Sequence, residues 1–244
     1  KILGDNLSLS QKKNLQMIED FYLKNNKKIN ASEHFPLFIT REKLTSYLVK
    51  YELFKKILDV KGSIVECGSF KGSSLLFFSK LSSIFEPYNI HKKIISFDTY
   101  EGFPNVNPKD NLKNQNTKKK YGSDTNLDII KESIDLFDLS RVNGHLNKVE
   151  IVKGDAIKTI PKYLSDNKHA LVSLLYLDFD LYKPTVVALK NFLPRMPSGS
   201  IIVFDELNQK RWYGETVALL EQFDLNKKKL KSFPYEPHIS YFQL

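Results

Sequence analysis

The chain has 244 residues, 41% hydrophobic and 27% charged, with a net charge of +9 and one cysteine. That balance suits a single domain with an extension and excludes wholesale disorder. The lone Cys67 excludes an internal disulfide framework and a cysteine-built zinc site, and it points to a reducing, cytoplasmic setting.

No apolar run reaches the roughly 18–20 residues that cross a bilayer, so no membrane span is expected. The first residues from Lys1 do not read as a secretory leader, and the lack of an initiator Met leaves open whether residues precede Lys1. The positive charge is nearly all lysine, clustered at Lys27-Lys28, Lys118-Lys119-Lys120 and Lys227-Lys228-Lys229; the arginines are Arg41, Arg141, Arg195 and Arg211. Nucleic-acid surfaces enlist Arg forks and interleaved aromatics. These clusters lack that texture and read as solvated faces rather than a nucleic-acid partner site. Attraction to an anionic substrate, such as a nucleotide-linked sugar, stays open.

Residues 1–60 read as a helical extension. Leu15, Ile18, Phe21 and Tyr22 follow a helical period, as do Leu44, Tyr47, Leu48, Tyr51, Phe54 and Leu58, with Thr40 as N-cap of the second helix. From residue 61 to 244, short apolar runs alternate with helical stretches. The runs are Ser63–Cys67, Ile94–Phe97, Val149–Val152, Val172–Leu177 and Ser200–Phe204. The helical stretches are Ser73–Ser83, Leu127–Phe137, Pro184–Phe192 and Gly214–Phe223. Continuous apolar strands between helices predict an α/β fold, a mostly parallel sheet covered on both faces. Lys229–Phe233 and Ile239–Gln243 predict a final strand pair, seven strands in all. Asn105 to Thr125 is a long polar segment beside the second strand's end, where a lid, a binding loop or a disordered excursion is expected.

In open α/β sheets ligands lie beyond the carboxyl ends of the strands. The first strand ends in Glu66-Cys67-Gly68-Ser69-Phe70-Lys71-Gly72-Ser73-Ser74. Gly68 and Gly72 allow a tight turn into a helix N-terminus, but the spacing is not the dinucleotide fingerprint G-x-G-x-x-G. A carboxylate at Glu66 suits a ligand with an amino group, such as the methionine end of S-adenosylmethionine. The second strand ends at Asp98-Thr99, where an acid commonly accepts hydrogen bonds from ribose hydroxyls. The third ends in Gly154-Asp155-Ala156, with Asp155 placed for the adenine amino group.

The fourth strand runs into Asp178-Phe179-Asp180 and the fifth into Asp205-Glu206. Residues two apart on extended chain share a face, which would set Asp178 beside Asp180. Two carboxylates at about 4 Å repel by about 4 kcal/mol at an effective dielectric near 20, a repulsion relieved by protonation or by a cation. Asp178, Asp205 and Glu206 are therefore expected to hold Mg²⁺ or a similar ion, and Asp180 to act as general base on a sugar hydroxyl. Trp212 and Tyr213 read either as a sugar-stacking platform or as loop packing.

These stretches together resemble the macrocin-type sugar O-methyltransferases of macrolide and aminocoumarin pathways. The resemblance is carried by Val65-Glu66-Cys67-Gly68 through Gly72-Ser73-Ser74, by Phe97-Asp98-Thr99-Tyr100-Glu101-Gly102-Phe103-Pro104, by Leu177-Asp178-Phe179-Asp180-Leu181-Tyr182, and by Asp205-Glu206. It spans about residues 62–225. It implies a class I methyltransferase Rossmann-like fold, S-adenosylmethionine, a Mg²⁺-type ion, and a deoxysugar or glycan hydroxyl as acceptor. It maps the metal ligands onto Asp178, Asp205 and Glu206, and the base onto Asp180. One departure is Glu206, where the family usually carries Asp. A catechol-like diol acceptor, a nucleic-acid methyltransferase and a non-catalytic cofactor-binding module are the rival readings; a homodimer is compatible with each.

Overall fold

The computed structural model describes residues 8–30, 32–104, 106–110, 125–210 and 212–244, with the side chains of Gln11 and Leu15 not described. The Lys118-Lys119-Lys120 cluster, Arg211 and most of the polar segment from Asn105 to Thr125 lie outside the described residues. Two compact units divide the chain, Lys1–Leu48 and Val49–Leu244.

In the first unit helix α1 spans Leu9–Asn25. Its Phe21 and Tyr22 pack on Phe38 with ring centroids 5.9 and 5.4 Å apart. Thr40 caps helix α2 (Arg41–Lys55) as expected, its Oγ1 accepting from the Lys43 N–H at 3.3 Å. The unit boundary falls inside α2, whose Val49, Lys50, Leu53 and Phe54 are buried.

In the second unit the elements are β1 (Ser63–Cys67), α3 (Ser73–Phe85), β2 (Ile94–Asp98), α4 (Leu127–Leu139), β3 (Val149–Lys153), α5 (Ala156–Asp166), β4 (Val172–Leu177), α6 (Tyr182–Phe192), β5 (Ile201–Phe204), α7 (Gly214–Gln222), β6 (Lys231–Phe233) and β7 (Glu236–Gln243). They build one seven-stranded sheet in the order β3-β2-β1-β4-β5-β7-β6, in which β7 pairs antiparallel with both β5 and β6. The strands from β1 to β5 are parallel neighbours. The order reverses between β1 and β4, so their carboxyl ends form the switch-point crevice. Alternate strand residues feed two cores. Ile64, Ile94, Leu174 and Ile201 face one; Val65, Ile95, Leu175 and Ile202 face the other. Among the described residues no helix is long and apolar enough to cross a membrane.

The expected mostly parallel sheet is present. Helix α5 was not foreseen, because Pro161 inside it removes an N–H and crowds the preceding turn. The helix forms because Ala156, Ile160 and Leu164, spaced four apart, bury one stripe against the sheet. Asp155 caps it, its side chain accepting from the Ile157 N–H at 3.0 Å.

Candidate active site

Five strand ends are stitched side by side by four hydrogen bonds. Gly68 N–H donates to the Phe97 carbonyl, Gly154 N–H to Asp98, Asp178 N–H to Cys67 and Asp205 N–H to Leu177, all at 2.8–3.0 Å. Glu66, Asp98, Asp155, Asp178 and Asp205 are thereby gathered along one edge of the sheet. Gly68 is required here: its φ is +93°, and a Cβ would lie 2.0 Å from the Asp178 carbonyl oxygen.

At the β1–β2 end, the protein's own donors hold the acids. Asp98 accepts the Phe70 N–H at 2.8 Å on one oxygen and the Tyr100 N–H at 2.7 Å on the other, tying the two loops together. Thr99 accepts from the Glu101 N–H and donates to the Gly102 carbonyl. Gly72 enters α3 with φ +75°, ahead of Ser73. Ser69 and Ser96 hydroxyls lie 2.6 Å apart. Glu66 is the exception. It is only 1% exposed, and its Oε2 has no hydrogen-bond partner. Burial pushes its carboxyl up to about 7, against the pull of Ser69, the Lys50 charge and Ser74. Cys67 is buried, and burial raises its thiol further, which marks it as a core residue.

At the β4–β5 end, acids face acids. Strand β4 stops at Leu177, and Asp180 lies in the left-handed region at φ +61°. The two-residue alternation expected to set Asp178 beside Asp180 is therefore broken. Asp178 is half-buried, whereas Asp180 is 2% exposed. Glu206 is buried beside Asp180, and its Oε2 is unpartnered. Its carboxyl is held far above the ordinary range by burial first, then by the charges of Asp180 and Glu215 and a hydrogen bond to Asp180. Burial and the neighbouring acids together favour the neutral form within this cluster. Asp205 accepts from the buried Tyr176 hydroxyl at 2.6 Å.

Two residues the sequence reading missed complete this end. Glu215, wholly buried in the first turn of α7, accepts the Asp180 N–H at 3.3 Å on one oxygen and the Glu206 N–H at 3.4 Å on the other. It holds the β4 and β5 loops together, and Gly214 lets it in: a Cβ there would sit 2.6 Å from the Tyr182 nitrogen. Asp110, 1% exposed, accepts from the Asn107 and Tyr182 N–H groups, anchoring the loop after β2 to the start of α6. A glutamate following a glycine at the head of an apolar helix was the available signal for Glu215. Trp212, 4% exposed, packs edge-on against Phe103 with centroids 6.1 Å apart, which favours packing over an open stacking platform.

Among the described residues no three His, Cys, Asp or Glu side chains stand as a ready metal-ligand set. A cavity of about 620 Å³ opens at the opposite, amino-terminal ends of the strands, lined by Lys61, His91, Lys93, Glu150, Tyr163 and His169 among others. Its volume is larger than its chemistry is specific. The strained, buried acids lie at the carboxyl ends, where this sheet topology places ligands.

Comparison with known proteins identifies the family. The family described as macrocin-O-methyltransferase (TylF) matches residues 45–229. A crystal structure of CalS11, a calicheamicin methyltransferase, is 31% identical, with 98% of this chain and 94% of that one covered and a TM-score of 0.91. The apo structure of CalS11, described as a TDP-rhamnose 3'-O-methyltransferase of calicheamicin biosynthesis, is 30% identical over 98% and 96% of the two chains, with a TM-score of 0.84. The O-methyltransferase NovP, 16% identical over 81% and 78%, shares the fold with a TM-score of 0.64. No curated protein matches the sequence. The molecule is thus an S-adenosylmethionine-dependent O-methyltransferase with a class I Rossmann-like fold. The chain belongs to the TylF macrocin-O-methyltransferase family.

Proposed function

We propose that the chain methylates a hydroxyl of a deoxyhexose-like sugar, carried on a nucleoside diphosphate, with help from a divalent cation. The acceptor class rests on likeness to CalS11 across nearly the whole chain. The observation that carries the mechanism is the buried Asp180–Glu206 pair at the end of β4 and β5, acid against acid with one oxygen unpartnered.

Glu66 fits the amino group of the methionine moiety, because its buried Oε2 lacks a donor. Asp98 ends the second strand where ribose hydroxyls would bind, Asp155 and Ala156 flank the adenine position, and Gly68, Ser69, Gly72, Ser73, Thr99, Gly154 and Asp178 complete the cofactor wall. Asp178, Asp205 and Glu206 would supply the oxygen donors a hard cation takes, Glu206 Oε2 being without a partner, although among the described residues they do not stand as a ready ligand set. Ligation would draw Glu206 away from its bond to Asp180. When bound, the sulfonium supplies an electrophilic methyl group and the cation supplies Lewis-acid stabilisation of the acceptor oxygen. The chain's own work is positioning. Glu215 fixes the spacing of the Asp180 and Glu206 backbones, Tyr176 holds Asp205, and Asp180 would take the hydroxyl proton as the oxygen bonds the methyl carbon and the carbon–sulfur bond breaks, releasing S-adenosylhomocysteine.

The test is methyl transfer from S-adenosylmethionine to TDP-rhamnose and other nucleotide sugars, with EDTA and with added Mg²⁺. Transfer that stops in EDTA and returns with Mg²⁺ is expected. Transfer only to a catechol defeats the acceptor assignment, and full turnover in EDTA defeats the cation.

A further inference from the structure

A polar row runs across one buried face of the sheet beneath the cofactor edge. Ser96, Glu66 and Tyr176 are register partners on β2, β1 and β4. At one end the Ser96 hydroxyl meets those of Ser69 and Tyr100; at the other the Tyr176 hydroxyl donates to Asp205. Lys50 of α2 enters this row from the helix layer. It is 5% exposed, and its Nζ sits 5.1 Å from the centre of the Tyr176 ring. A lysine is seldom buried unless its charge has a role. Here the ring face receives the ammonium, and Glu66, the strand neighbour of Tyr176, feels its charge.

We propose that Lys50 is a positioning residue for the cofactor, its ammonium laid on the Tyr176 ring to keep the buried Glu66 carboxylate ionised for an amino-acid ammonium group. The proposal rests on the reading of Glu66 as the amino-group acceptor. The charge is needed because burial alone drives Glu66 toward its neutral form, up to about 7 even with Lys50 in place. A neutral carboxyl offers an ammonium much weaker attraction. The other ionisable groups around Glu66 do not do this work. Asp98 pushes it further up, and Cys67, Tyr100 and Tyr176 are themselves raised by burial.

The experiment is S-adenosylhomocysteine binding by calorimetry to wild type, K50M, K50R and E66Q at about pH 7 and about pH 8.5. Removing that attraction is expected to weaken K50M several-fold at the lower pH. The loss shrinks at the higher pH, where hydroxide removes the proton that Lys50 otherwise keeps off Glu66. K50R is expected to bind like wild type, and E66Q weakly at both pH values. An equal K50M loss at both, or no loss, overturns the proposal, the first by showing a packing role alone. If K50M does not fold, K50Q is read by the same pH comparison. Wild-type affinity in E66Q at both values instead sinks the reading of Glu66 itself.

Discussion

The two ends of the crevice treat carboxylates in opposite ways. Along β1, β2 and β3, Asp98 and Asp155 rest on the protein's own backbone N–H groups, and Glu66 has serine hydroxyls and a lysine charge acting on it. Along β4 and β5, the chief influences on Glu206 after burial are other acids, Asp180 and Glu215. The first end is a finished surface that needs only a ligand's donors. The second stores repulsion in a site where burial forbids water from dispersing it. On the proposed reading the first is the binding half and the second the reacting half, and what surrounds their acids sets them apart.

The largest expected effect breaks the reacting half alone. D180N keeps a residue that tolerates φ +61° but removes the base, so kcat should fall by about 10²–10⁴ while S-adenosylhomocysteine affinity stays put. Steady-state kinetics beside calorimetry decide it; retained turnover would refute the role of Asp180.

Next comes E66Q in the binding half. The folded-state carboxyl titrates near 7 against an ordinary 4.5, so the fold binds its proton more tightly than the unfolded chain. The burial penalty is absent below 4.5, builds as the pH rises, and is complete above 7. The ligand-free E66Q protein should therefore be more stable than wild type by about 3 kcal/mol near pH 8, with no gain near pH 4. Urea unfolding at both pH values checks the sign, and a gain that persists in acid contradicts it.

G68A strikes where the halves meet. Its Cβ would collide with the Asp178 carbonyl from a φ of +93°, so a loss of at least about 2 kcal/mol is expected in urea. The smallest effect sharpens the binding half. D155A removes the α5 cap and should cost about 1 kcal/mol, which D155S recovers. If D155S also restores cofactor affinity in full, Asp155 is a cap and no adenine reader.

The family resemblance and the ends of β1, β2, β4 and β5 were legible because each is local. A short apolar run, a glycine turn and an acid at the last residue are contiguous signals, as at Glu66-Cys67-Gly68 and Phe204-Asp205. Helix α5 was hidden for the converse reason: Pro161 is a local veto, overruled by a buried stripe that only the packed sheet rewards.

From the chain alone came the α/β alternation, the order of the motifs and the acids that crown each strand. Those follow from hydrophobic period and backbone stiffness, which act between near neighbours. Only the folded molecule decided which acids press on one another. It turned Asp180 out of its strand's alternation, brought Glu215 from 35 residues away onto its amide, hung Tyr176 on Asp205, and slid Lys50 beside the row that holds Glu66. Register and layer stacking make those pairings, and Coulomb and desolvation energies depend on separation in space, which no spacing along the chain encodes.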